Sequence, residues 1–123
     1  MRGIRAFLLF EAIAFALASL VHRGLLVDGF DDPGASTAEG IIAVVLMVGL
    51  VVSFVAPART RMIGLVAQAF ALLGTTIGLF LLIVVGPQTL PDLVFHIGIY
   101  VVLIIGLIVA ARSGRNDRNT GGT

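Results

Sequence analysis

The sequence predicts an all-α integral membrane protein: a bundle of four transmembrane helices running up-down-up-down, with both termini inside. Three observations carry this. Of 123 residues, 59% are hydrophobic and only 12% charged, with mean hydropathy +1.12, whereas soluble domains carry about 25% charge. The apolar residues collect into four runs, each near the ~20 residues that cross a hydrocarbon core. Seven of the eight arginines fall beside alternate ends of those runs, on one side.

The first run spans about 4–27. Arg2 and Arg5 precede it, and Ala16-Leu17-Ala18 has the small residues of a signal-peptidase site. Glu11 lies inside the run and the apolar character continues past that site, so we read a retained helix. Asp28 to Gly34 form the first loop. The second run covers about 38–56, with Ser36 or Thr37 as N-cap candidates and Glu39 in the first turn. Pro57 to Arg61 separate it from the third, about 62–85, and Gly86 to Asp92 separate that from the fourth, about 93–111. Residues 1–112 thus make one four-helix domain. The polar tail, 113–123, is rich in Gly, Asn and Arg and is expected to be a disordered cytoplasmic segment.

Arginine placement orients the bundle. Arg2, Arg5, Arg59, Arg61, Arg112, Arg115 and Arg118 share one side, while Arg23 falls on the other with Asp28, Asp31, Asp32, Glu39 and Asp92. The positive-inside rule then makes a multi-pass cell-membrane protein with both termini cytoplasmic. The third helix carries a stripe of Gly64, Ala67, Ala71, Gly74 and Gly78, which suits close helix packing in the bundle or a homodimer seam.

Composition also excludes. With no cysteine there is no disulfide, thiolate site or Cys nucleophile. A net charge of +1 gives no case for nucleic acid. No nucleophile–base pair or phosphate loop is visible, which weighs against an enzyme.

Polar groups within hydrocarbon are costly and turn toward the bundle interior. At 1.5 Å rise per residue they form two layers. His22 and His96 lie roughly 9–10 Å outward of their helix centres by that rise, with Glu39 and Asp92 slightly farther out. Asp92 and His96, four apart, share a helix face. His22, Glu39, His96 and Asp92 are therefore the candidate metal or ligand cluster. Imidazole with carboxylate suits a divalent metal; alternatively these residues only snorkel and serve helix ends. Haem between His22 and His96 fits poorly, because neighbouring helices pack at about 8–10 Å. The inner layer holds Glu11 and Gln68, and Glu11 shares a helix face with His22, about 16 Å away along the axis. Burial makes the charged form of Glu11 expensive, so it could exchange protons or act as hydrogen-bonded glue with Gln68.

In length, helix number and one Glu in the first helix, matched by Glu11, the chain resembles the small multidrug resistance transporters. That resemblance implies proton-coupled export by a homodimer. The chain departs from it in having no Trp and strongly one-sided arginines. Three readings follow: a membrane protein whose outer-leaflet polar pocket binds a metal ion or small polar ligand, a proton-coupled transporter using Glu11, or a non-catalytic accessory subunit of a larger membrane complex.

Overall fold

The computed structural model describes residues 1–86 and 89–115. Within them lie four long helices, α1 Arg2–His22, α2 Pro33–Val55, α3 Thr60–Val84 and α4 Leu90–Arg112, with a single 3₁₀ turn at Pro57–Arg59. Each is long and apolar enough to cross a membrane, with hydropathies between 2.1 and 2.8 over the best windows. Pro87, Gln88 and the tail from residue 116, including Arg118, fall outside the described residues; Ser113 to Arg115 form a turn after α4.

Helix ends differ from the sequence expectation where local chemistry outweighs hydropathy. The first helix stops at His22, not near Val27. Gly24, at φ 74°, ends it: the amide of Leu25 donates to Leu20 O and that of Gly24 to Val21 O, at 3.1 and 3.0 Å. This paired closure needs a left-handed residue at its hinge, which glycine supplies without a Cβ penalty. Leu25, Leu26 and Val27 are therefore exposed loop residues. The second helix begins five residues earlier than expected. Asp32, rather than Ser36 or Thr37, is its N-cap: Oδ1 accepts from the Ala35 amide at 3.0 Å, with Pro33 opening the helix. α4 likewise starts at Leu90, with Pro91 in its first turn.

α1 is central to the packing and contacts all three other helices; α2 and α4 also pack against α3. Ile4, Leu8, Ala12 and Phe15 of α1 recur at three- and four-residue spacing and form its buried stripe. They meet Ile42, Leu46 and Leu50 of α2, Ala67 and Ala71 of α3, and Ile99, Leu103 and Ala110 of α4 in one core. The small stripe of α3 is used inside the chain. A Cβ on Gly64 would stand 2.5 Å from Ile4 Cγ2, and one on Gly74 2.9 Å from Ile42 Cδ1. Large apolar side chains also cover the outside, among them Phe10, Leu17, Val44, Phe54, Phe70, Phe80 and Ile97.

Candidate functional site

The polar residues expected in two layers do form two separate groups. At the end where α1 stops and α2 begins, His22 joins three helices. Its Nδ1 lies 2.7 Å from Glu39 Oε2 of α2, and its Nε2 lies 3.2 Å from Asp92 Oδ1 of α4. His96, one turn along α4 from Asp92, donates from Nδ1 to the Asp92 carbonyl at 2.8 Å and sits 3.7 Å from Asp92 Oδ1. That bond assigns the Nδ1–H, leaving Nε2 of a neutral ring as an acceptor. The backbone reason for the cluster is the early stop of α1. His22 occupies the last turn, its carbonyl accepts from the Asp32 amide at 2.9 Å, and this clamps the start of α2 beside it.

Beside this chain runs a second polar contact absent from the sequence expectation. Ser19 Oγ donates to Ser36 O at 2.7 Å and Ser36 Oγ to Ser19 O at 3.0 Å, while Arg23 Nε donates to Ser36 Oγ at 2.9 Å. Ser19 and Ser36, on separate helices, carry no distinctive motif, so only the packing of α1 on α2 reveals them. Arg23 is therefore held on the bundle rather than simply extended to an interface.

The expected cluster is real as a set of neighbours, but its donors do not converge on one point. The two ring nitrogens of His22 each face a different carboxylate, and among the described residues no group of three or more His, Cys, Asp or Glu side chains is disposed to hold a metal ion. The geometry thus gives the metal expectation no support. Asp92 stands between the rings of His22 and His96, where a bis-histidine haem would need its porphyrin.

One atom of this cluster is left over; elsewhere Gln68 Oε1 and Arg61 Nε are likewise buried without a partner among the described residues. Glu39 is 4% exposed, its Oε2 is turned to His22, and its buried Oε1 has no hydrogen-bond partner among the described residues. A buried acceptor without a donor costs about 1–3 kcal/mol. Glu39 also lines a partly open cavity of about 480 Å³ bordered by α2, α3, α4, the loop before α2 and Phe15 of α1, together with Asp31, Asp32, Thr75, Asp92 and His96. On the far side of the His22–Asp92 contact lies a second cavity of about 540 Å³, a groove between α1 and α4 walled by Phe10, Ile13, Leu17 and Phe95. The polar chain is the partition between an apolar groove and an acidic cavity.

Comparison with family models, with curated proteins and with solved structures finds no match for this chain. The chemistry of the site therefore stands on its own residues.

The inner group is different in kind. Glu11 and Gln68 are both fully buried, and Gln68 Nε2 donates to Glu11 Oε1 and Oε2 at 3.3 Å each. Gly106 of α4 lets the pair fit: a Cβ there would stand 2.8 Å from Glu11 Oε1 and would also strike Gln68 Nε2. Neither residue lines either cavity. At the end opposite His22, Arg5 donates to Ser53 O at 2.6 Å and to Ser53 Oγ at 3.1 Å, and its guanidinium lies 4.2 Å from the Phe54 ring centroid.

Proposed function

We propose that this chain is a small integral membrane protein whose four helices cross the bilayer up, down, up and down. Its arginine-rich termini lie in the cytoplasm, and its acidic cavity opens on the outer side and binds a small polar ligand. The observation that carries the binding reading is a cavity whose wall includes Glu39, a buried carboxylate with one oxygen, Oε1, unpaired among the described residues. Native chains rarely leave such an acceptor without a donor, and at the edge of a cavity a ligand can supply one. A volume of about 480 Å³ falls within the ~300–1,000 Å³ usual for small-molecule sites. The apolar exterior supports the membrane reading, because lipid tails solvate exposed Leu, Val, Ile and Phe as well as a protein core does. Contacts of Arg5 with Ser53 and of Ser19 with Ser36 are those of opposed neighbouring helices, as the bundle order requires.

Glu11 acts here as interhelical glue rather than as a transport group. A carboxyl that exchanges protons across a membrane needs a water path, and Glu11 is sealed between Gln68 and the Gly106 backbone.

The binding reading is tested by a thermal-shift screen of small polar molecules of both charges on purified protein, run in parallel with Glu39→Gln. At least one compound should raise the transition of the native chain and not that of the variant. A screen in which every shift is shared equally by Glu39→Gln would contradict it.

A further inference from the structure

We infer that the outer cavity selects an organic cation: a protonated amine whose N–H groups meet the carboxylates while its apolar body lies against phenyl rings. This inference rests on the binding reading above and narrows it to a charge class.

Among the described residues the wall holds four carboxyl groups, Asp31, Asp32, Glu39 and Asp92, and no arginine. The nearby basic side chain, Arg23, has its Nε committed to Ser36 Oγ at 2.9 Å and is outside the wall. Acidic groups clustered at a surface are not by themselves a site, since water and salt can satisfy them. Glu39 is the independent observation: it is 4% exposed, it borders the cavity, and its Oε1 has no hydrogen-bond partner among the described residues. A second acceptor points the same way. His96 Nδ1 is spent on the Asp92 carbonyl, so the remaining Nε2 of a neutral ring has a lone pair to offer, and it lies 3.9 Å from where a Cβ on Gly78 would be, on the cavity's α3 side. The cavity thus presents acceptors and negative charge, and calls for a ligand with donors and positive charge.

Size and lining settle which kind of cation. About 480 Å³ is far larger than a bare ion needs, and the acidic groups do not converge as metal ligands do. Phe15 and Phe30 are also in the wall. Aromatic faces attract ammonium groups and pack apolar carbon equally well. An amine with an attached hydrocarbon body uses every part of this lining.

Isothermal titration of the detergent-solubilised full chain, referenced to empty micelles, tests this with three probes sharing a phenyl group: phenethylammonium, phenethyl alcohol and phenylacetate. At neutral pH phenethylammonium should bind at least about tenfold more tightly than phenethyl alcohol, with phenylacetate weakest. Glu39→Gln should weaken the ammonium about tenfold and leave the alcohol within about twofold. Should that variant not fold, Asp31→Asn, at an exposed position in the wall, should lower ammonium affinity about threefold without affecting the alcohol. Phenethyl alcohol or phenylacetate binding as tightly as the ammonium, in a Glu39-dependent way, would overturn the charge selection and leave the binding reading standing. Ammonium binding that neither substitution changes overturns the assignment to this cavity, and no binding by any probe overturns both.

Discussion

His22 and Glu39, 2.7 Å apart, fasten the last turn of α1 to the first turns of α2 at a point where both side chains are about 95% buried. The ring then reaches Asp92 with its other nitrogen. Removing the imidazole leaves Glu39 buried with neither oxygen paired. His22→Ala should lower stability by about 3 kcal/mol, because a lone buried carboxylate costs more than the pair contributes. Reversible unfolding in mixed micelles measures this. A double-mutant cycle with Glu39→Gln should give a coupling of about 1–3 kcal/mol, and additive losses would show that the two do not act as a unit.

Gly106 is the contact that lets α4 close over the inner pair. Gly106→Ala sets a methyl against Gln68 Nε2 and Glu11 Oε1, so overpacking should cost about 1–3 kcal/mol. Gly98→Ala on the same helix meets nothing within 4 Å and should leave the unfolding transition nearly unchanged. Equal transitions for the two variants would remove the tight α1–α3–α4 approach.

The turn after α1 makes a separate prediction. Gly24→Ala forces a Cβ into a left-handed residue and to 2.5 Å from Asp31 Oδ1, whereas Gly29→Ala, at φ 95°, meets open space. Gly24→Ala should therefore destabilise by more than the ~1–2 kcal/mol of the backbone conformation alone, and by more than Gly29→Ala. Thermal denaturation of the two variants side by side reads the difference.

The four long apolar helices are legible in the sequence because hydropathy and loop chemistry point the same way. The grouping of His22, Glu39, Asp92 and His96, and the pairing of Glu11 with Gln68, follow from depth alone, since a polar group in an apolar bundle has few partners at its own level. Helix ends are less legible where apolar residues continue beyond a stop. Leu25 to Val27 look helical by hydropathy, and only the left-handed Gly24 ends α1 before them. Ser36, a plausible cap by type, is instead a buried bridge to Ser19, and Asp32 caps α2. The direction in which each donor points was beyond reach of spacing, which is why the cluster suggested a metal and the geometry shows a hydrogen-bonded partition.

Orientation can be checked directly, because the chain has no native cysteine. In right-side-out vesicles, Gly29→Cys in the acidic loop should react with a membrane-impermeant thiol reagent, and Ala58→Cys beside Arg59 should react only after permeabilisation. The reverse pattern would invert the topology.

The most direct test of an outward-opening acidic cavity uses Gly78→Cys, whose new side chain would enter the cavity wall with His96 Nε2 at 3.9 Å from its Cβ. Its modification rate by a trimethylammonium methanethiosulfonate added outside should exceed that by the sulfonate analogue by about tenfold, and should far exceed the rate at Gly98→Cys. A Gly78→Cys that reacts no faster than Gly98→Cys, or equally with both reagents, would contradict the cavity as described.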